Sequence, residues 1–312
     1  MKRQEREIRT AVVTGPTGAI GNALCQRLLD AEVTVYAVTR PGGQRAKELP
    51  QNKRLHILPC NLDEIGTLPE RIGTPADALF HLAWGGTIGE GRNDAELQLR
   101  NVGYTVQAAQ VAAELGCKVF IGAGSQAEYG RVDGVLKSDT PCFPETGYGI
   151  AKLCAGQMSR LECERLGIDH IWTRILSVYG PHDGPLTMVT GTIQTLLHGE
   201  KPKLTAGEQL WDYLYTDDAA EALYHMALYG KNGAVYPLGS GQAYPLRSYV
   251  EALRDAIDPA MALGIGEIPY GPRQVMRLQA DISDLQRDTG FEPKVPFEMG
   301  IRETIRWMRG RE

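Results

Sequence analysis

The segment TGPTGAIG, residues 14–21, places three glycines directly after a short apolar run and before a helical stretch. A GxxGxxG pattern between a strand and a helix is typical of a dinucleotide-binding turn. The first glycine permits the tight turn, the second lets the backbone approach a pyrophosphate, and the third allows close helix packing. We therefore predict that a dinucleotide binds here, at the helix N-terminus, through Gly15, Thr17, Gly18, Ala19, Ile20 and Gly21.

The first 175 residues alternate short β-branched runs with longer helical segments. Continuous apolar strands separated by helices indicate a parallel sheet that is covered on both faces. The predicted strands span residues 11–14, 33–38, 55–58, 78–82, 119–123 and 170–174. The predicted fold class is α/β, a Rossmann-type doubly wound parallel sheet with a smaller C-terminal α/β substrate lobe.

The alternation loosens after position 174, where glycine and proline become frequent. A hairpin is predicted through residues 204–215, and a strand at 235–238 is expected to rejoin the sheet. We predict an NAD(P)-binding Rossmann domain over residues 1–180, with 211–240 rejoining it. Residues 181–210 and 241–312 then form the smaller substrate-binding lobe, and ligands bind between the lobes.

Composition restricts the class of partner. The chain has 312 residues, 43% of them hydrophobic, and a net charge of -5. Because basic residues are not in excess, we expect no nucleic acid partner. The charged N-terminus lacks the apolar stretch of a secretory signal, and no run of 18 apolar residues occurs, so we expect a cytoplasmic protein without a membrane partner. The six cysteines have no metal-ligand spacing, so no metal site is predicted.

The end of the second predicted strand bears on cofactor choice. A fold that selects NAD usually has an acidic residue there for the ribose hydroxyls, whereas this chain has Arg40. A guanidinium matches the 2′-phosphate of NADP. The alternative is a solvated loop arginine. We therefore expect NADP or NAD, with NADP favoured.

Tyr148 and Lys152 lie four residues apart in YGIAK, at the start of a predicted helix, so both side chains share one face. A nearby ammonium favours the phenolate and lowers the tyrosine pKa from its usual value of about 10. Tyrosine then becomes a usable acid or base. Ser125, at the end of the fifth predicted strand, is placed to orient a substrate hydroxyl.

The chain resembles the extended short-chain dehydrogenases/reductases, specifically the NAD-dependent epimerase/dehydratase family, whose members modify nucleotide sugars. The resemblance covers nearly the whole chain. It rests on TGPTGAIG, HLAW at 81–84, SQAEYG at 125–130, YGIAK at 148–152, RILSVYGP at 174–181 and WDYLYTDDAAEA at 211–222.

The resemblance implies roles for individual residues. Ser125, Tyr148 and Lys152 would form the catalytic triad, with Asn101 as a supporting residue. Tyr148 and Lys152 would also contact the cofactor. The other cofactor contacts that it implies are Asn61 and Leu62 at the adenine, Ala83, and Ser177 near the nicotinamide or the substrate.

The resemblance also bears on the reaction. Family 4,6-dehydratases have an Asp-Glu pair directly after the catalytic hydroxyl residue, where this chain has Gln126 and Ala127. Neither side chain is a general acid or base, so dehydration is disfavoured. Epimerisation and 4-keto reduction stay open. Epimerases retain tightly bound NAD, whereas reductases consume a dissociable NAD(P)H. Arg40, which suits NADP, therefore favours reduction.

The expected substrate is a nucleoside-diphosphate sugar, bound by the smaller lobe. Arg273 and Arg277 lie in a segment that resembles the family's diphosphate-binding stretch, whereas Trp211 replaces a second family arginine. Trp84 and Gln126 are expected to contact the sugar, and the alternative for Trp84 is core packing. The resemblance implies a homodimer through the helices at 95–115 and 146–166. The competing hypothesis is a regulator or sensor that binds dinucleotide without catalysis.

Overall fold

A seven-stranded parallel sheet forms the centre of the computed structural model, which describes residues 5–272 and 274–310. Its strand order is β10-β6-β5-β4-β1-β2-β3, with every neighbouring pair parallel. The strands are β1 (Thr10–Thr14), β2 (Thr34–Thr39), β3 (Leu55–Pro59), β4 (Ala78–His81), β5 (Val119–Ser125), β6 (Asp169–Ile175) and β10 (Val235–Leu238). The predicted doubly wound sheet is confirmed.

Helices cover both faces of this sheet. The helices are α1 (Ala19–Asp30), α2 (Leu68–Ile72), α3 (Ala95–Glu114), α4 (Gly147–Leu166), α5 (Met188–Leu197), α6 (Thr216–Tyr229), α7 (Leu246–Ile257), α8 (Ser283–Thr289) and α9 (Phe297–Arg309). On one face, α1 and α6 bury Leu28 and Leu223 against the sheet. On the other, α3 buries Ala108 against Phe120 of β5, and α4 packs along α3. Both faces of the sheet are therefore buried under helices, as the apolar strands predict.

Short strands and helices α5, α7 and α9 form a second layer beside the sheet. β7 (Ser177–Tyr179) pairs in parallel with β9 (Tyr213–Tyr215). β8 (Leu210–Trp211) pairs with β11 (Tyr244–Pro245) and β12 (Arg277–Leu278). Helices α5, α7 and α9 share a core that includes Ile193, Leu253 and Ile301.

The predicted hairpin at 204–215 is wrong. β8 and β9 are consecutive in sequence but belong to different sheets, because each finds its hydrogen-bond partners in distant parts of the chain. The strand at Val235–Leu238 does rejoin the central sheet, beside β6. The domain boundaries given above stay a prediction.

Across residues 5–272 and 274–310, none of the helices combines the length and the apolar character needed to span a bilayer.

Candidate functional site

The site lies at the carboxyl ends of β1, β4 and β5. In the strand order β5-β4-β1-β2, chain connections leave the sheet in opposite directions on the two sides of the β4–β1 pair. Such a switch point opens a crevice at the carboxyl edge of an α/β sheet. The predicted glycine turn and the predicted triad both border this crevice, since they follow β1 and β5.

The glycine turn has three distinct local requirements. Gly15 has φ 70°, and a Cβ there would lie 2.8 Å from the backbone nitrogen of Ala83. A Cβ on Gly21 would overlap the Gly15 carbonyl oxygen, so α1 can approach the turn only without a side chain. A Cβ on Gly18 would meet nothing closer than 3.7 Å, so the space there is open to a ligand.

The start of α1 also suits an anion. Gly18 is its N-cap and provides no side-chain hydrogen bond, and the first turn contains no acidic residue. The first N–H groups of a helix are available to a ligand when no side chain caps them. Thr17, Ala19 and Ile20 are half-buried around this position. The turn therefore fits the pyrophosphate of a dinucleotide.

The other predicted cofactor residues line the same edge. Ala83 donates its backbone N–H to Thr14 Oγ1 over 3.2 Å and packs on Gly15. Arg40 is exposed directly after β2, and Asn61 and Leu62 follow β3. Strands β2, β3 and β4 thus bring these residues to the carboxyl edge of the sheet, as strand order predicts.

Ser125 ends β5 and is held by a capping box. Its Oγ accepts a hydrogen bond from the Ala127 backbone over 3.2 Å, and its own N–H donates to Glu128 Oε1 over 2.8 Å. Glu128 is fully buried and also accepts hydrogen bonds from Trp172 and Arg174. This arrangement fixes the Ser125 backbone.

Tyr148 is placed by the start of α4. Thr146 caps the helix by accepting from the Gly149 backbone over 3.1 Å. A Cβ on Gly149 would lie 3.0 Å from the Ala127 carbonyl carbon, so glycine lets the helix start against the turn that follows Ser125. Burial raises the pKa of Tyr148 above its usual value, while the Ser125 side chain and Arg92 oppose the rise.

Lys152 is buried one turn farther along α4, with 3% of its surface exposed. Its ammonium donates to the Ala123 carbonyl and lies 3.8 Å from the ring centroid of Trp84. Burial lowers the Lys152 pKa to about 7, although the Glu128 carboxylate raises it. The spacing argument expects the lysine to lower the Tyr148 pKa, but in this structure the groups that lower it are Ser125 and Arg92, and burial outweighs both.

Trp84 lies between the two catalytic candidates. Its ring meets Tyr148 edge to face with centroids 6.1 Å apart, and its Nε1 donates to Gln98 Oε1 over 2.9 Å. The Gln98 amide also donates to the carbonyls of Gly86 and Gly91. The Gln98 hydrogen bond therefore fixes the Trp84 ring against Tyr148 and Lys152.

Asn101 fixes the start of the loop that follows β4. Its side chain accepts from the Gly85 N–H over 3.0 Å and donates to the Gly85 carbonyl over 2.9 Å. Because both amide groups are used inside the protein, Asn101 supports the site through the backbone.

Arg92 lies over the face of Tyr148. The guanidinium carbon is 4.5 Å from the ring centroid, and Nη1 donates to the Thr87 carbonyl over 2.8 Å. This contact places a permanent positive charge beside the phenol.

The remaining predicted residues, so far as the structure describes them, lie on other elements or have other partners. Ser177 Oγ accepts from Trp211 Nε1 over 2.8 Å, so these two side chains are already paired. Gln126 is half-buried next to Ser125. Arg277 is on β12, where its Nη2 donates to Gln279 over 2.8 Å and its Nε has no partner in the described part of the chain. Arg273 lies outside the described residues.

Sequence reasoning missed three residues that shape the site: Glu128, Gln98 and Arg92. Glu128 has a recognisable signal, because Ser125 followed three positions later by glutamate matches the capping-box pattern. Gln98 and Arg92 have no such signal. Their roles depend on how the loop after β4 folds back.

The geometry agrees with a comparison against known families. Residues 11–239 match the model of the NAD dependent epimerase/dehydratase family. The chain belongs to this family. The match includes the glycine turn, Ser125, Tyr148 and Lys152, and it confirms the predicted resemblance.

Individual relatives cover almost the whole chain. A dTDP-glucose 4,6-dehydratase of Neisseria meningitidis is 24% identical, with 96% of this chain and 93% of the relative aligned. The solved UDP-glucuronic acid 4-epimerase of Bacillus cereus, in complex with NAD, superposes with a TM-score of 0.83 at 20% identity, covering 97% of this chain and 99% of its own. A UDP-N-acetylglucosamine 4-epimerase of Methanobrevibacter ruminantium gives a TM-score of 0.86 at 23% identity, covering 98% and 100%.

Proposed function

We propose that this chain transfers hydride at C4 of a nucleoside-diphosphate sugar, as a 4-epimerase or a 4-ketoreductase. The observation that carries the proposal is the convergence of Ser125, Tyr148 and Lys152 beside an open glycine turn. Relatives named as 4-epimerases and 4,6-dehydratases support the choice of nucleotide sugars.

Within this proposal, a bound nicotinamide supplies the hydride acceptor or donor. Tyr148 moves the proton: it takes the proton of the sugar hydroxyl as that oxygen becomes a carbonyl, and returns it in the opposite direction. Ser125 donates a hydrogen bond to the same oxygen. Lys152 and Arg92 favour the phenolate that forms whenever Tyr148 has given up its proton.

The protonation state of Tyr148 suits ketone reduction more directly than oxidation of a hydroxyl. Because burial raises the Tyr148 pKa, the side chain is a phenol at neutral pH and can donate a proton to a ketone. Abstraction of a hydroxyl proton requires the phenol to ionise, which a charged Lys152 assists. This difference supports ketone reduction as a serious candidate beside epimerisation.

Dehydration is the less favoured reaction within the proposal. Elimination of water needs a general acid and a general base close to the ketone, and Gln126 and Ala127 provide neither. Glu128 is the carboxylate that follows Ser125 in the chain, but it is fully buried and paired with Arg174. Since relatives are named as dehydratases, the assay must still include this product.

The cofactor proposal is NADP or NAD, with Arg40 as the residue that permits NADP. Arg40 is exposed at the end of β2, where its guanidinium can reach a 2′-phosphate. Arg45 is the neighbouring arginine, but its Nη2 donates to the His182 carbonyl over 2.6 Å. Solved relatives at 20% and 18% identity are complexes with NAD, which supports NAD as the alternative.

A homodimer through α3 and α4 also belongs to the proposal. Exposed apolar side chains lie on these helices: 71% of Leu99, 55% of Ile150, 48% of Met158 and 52% of Leu161 are exposed. A row of apolar side chains on paired helices is typical of an interface with another copy.

The test combines cofactor identification with product analysis. Cofactor released from the purified protein is identified by mass spectrometry, and NADH and NADPH are titrated against the cofactor-free protein. UDP- and dTDP-hexoses are then incubated with the enzyme, and C4 epimers, reduced products and elimination products are resolved by NMR. Retained NAD with C4 inversion indicates an epimerase, and NADPH consumption by a 4-keto sugar indicates a reductase.

Tyr148→Phe is the decisive variant. It removes the proton donor but leaves the ring that packs on Trp84 and Arg92, so cofactor affinity should stay within about threefold while turnover falls by at least about 100-fold. Near-normal turnover would refute the assignment. Bound dinucleotide without exchange on any nucleotide sugar would instead favour the non-catalytic regulator.

A further inference from the structure

The loop at residues 85–93, between β4 and α3, forms one border of the crevice. Gly86 and Gly89 have φ of 68° and 63°, which turn the chain back toward the site. The Gln98 amide donates to the carbonyls of Gly86 and Gly91 over 2.9 and 2.8 Å. The loop is thus anchored to α3, and it carries Arg92 over Tyr148.

Within residues 5–272 and 274–310, no carboxylate pairs with the charge of Arg92. No carboxylate oxygen of the described residues lies within 4.0 Å of its guanidinium, which contacts the Thr87 carbonyl and the Tyr148 ring. Arg174 provides the contrast. It lies 4.6 Å from the ring centroid of Tyr129, but it is paired with the buried carboxylate of Glu128.

A half-buried guanidinium with unused N–H donors discriminates between ligands. A neutral sugar that covers it displaces water without providing a negative charge, which penalises binding. A carboxylate accepts two N–H groups side by side and matches the geometry of the guanidinium. Because the Arg92 guanidinium carbon lies 4.5 Å from the Tyr148 ring centroid, a sugar whose C4 oxygen meets Tyr148 can bring a neighbouring ring substituent to Arg92.

We propose that Arg92 binds a carboxylate on the sugar, so that the substrate is a nucleoside-diphosphate uronic acid. This inference rests on the proposed function, since it names the substrate class of the same site. The competing role is purely electrostatic: Arg92 would act on the charge of Tyr148, whatever the sugar. The two roles differ in whether they depend on the sugar.

The experiment compares UDP-glucuronate with UDP-glucose in kcat/KM for the wild type, Arg92→Gln and Arg92→Lys. The matched control is Arg302→Gln, which removes an exposed arginine from α9. We expect the wild type to prefer the uronate, and Arg92→Gln to lower the uronate-to-glucose ratio roughly 10- to 100-fold. Arg92→Lys should lower it less, because charge is kept but the paired donors are lost.

A second measurement separates this inference from the proposed reaction. In a Tyr148→Phe background, calorimetry measures the affinity for each nucleotide sugar without turnover, with and without Arg92→Gln. Preferential uronate binding that depends on Arg92 supports the inference even if no product forms, a result that would overturn only the proposed reaction. Equal losses for both sugars, or a wild-type preference for the neutral sugar, would overturn the inference.

Discussion

Lys152→Met should stabilise the cofactor-free protein in a pH-dependent way. Burial lowers the Lys152 pKa from 10.5 to about 7, so between these values the unfolded chain keeps a proton that the native state has lost. The wild type therefore gains stability as pH rises through this window, by about 1.4 kcal/mol per pH unit at most. Methionine has no proton to lose and contributes no such slope.

The magnitude follows from the same pKa values. At pH 7 the native lysine is half protonated, and at pH 9 it is neutral while the unfolded lysine is still charged. Over these two units, the stability advantage of Lys152→Met over the wild type should shrink by about 2 kcal/mol. Loss of the Ala123 hydrogen bond and of the Trp84 contact changes the free energy of unfolding of the variant by the same amount at every pH. The change of the difference with pH therefore measures the proton that Lys152 loses.

Urea unfolding at pH 7, 8 and 9 measures this difference. Lys53→Met provides the control, because Lys53 is exposed. Its effect should stay within about 0.5 kcal/mol at each pH. A difference between Lys152→Met and the wild type that does not change with pH would refute the conclusion that burial keeps Lys152 partly neutral.

Two further substitutions test the turn and the proposed dimer. Gly21→Ala places a methyl group against the Gly15 carbonyl and should weaken NADH or NADPH binding at least about tenfold in a fluorescence titration. Gly103→Ala is the control, because a Cβ there has open space and should leave the affinity unchanged. Equal affinities of the two variants would contradict the packing argument. Met158→Glu should raise the dimer dissociation constant by roughly 100-fold, measured by light scattering, because it places a charge among apolar side chains. Met299→Glu, on the 51% exposed Met299 of α9, should leave the assembly unchanged, and a Met158→Glu protein that still dimerises would exclude this interface.

The central sheet could be predicted because its signals are local. Each strand is a compact apolar run, and the glycine turn fixes the first β-α connection, so boundaries agree within two residues. The hairpin at 204–215 failed for the opposite reason. Leu210 and Trp211 pair with residues 244–245 and 277–278, and nothing in the local sequence indicates so distant a partner.

The positions of the proposed catalytic residues could be predicted, but their protonation states could not. Spacing places Tyr148 and Lys152 on one helical face, and the structure agrees. Spacing does not, however, determine where the ammonium at the end of a four-carbon side chain lies. The Lys152 ammonium donates to the Ala123 carbonyl and lies over the Trp84 ring. Consequently the local environment, rather than the sequence interval, determines the Tyr148 pKa.

The single amide of Gln98 limits how this site can diverge. It holds Trp84 through one atom and two carbonyls of the 85–93 loop through the other. An insertion or deletion in the loop would break the contact that also orients Trp84 beside the candidate catalytic residues. New sugar preferences in descendants of this chain should therefore arise by exchange of side chains within a loop of constant length.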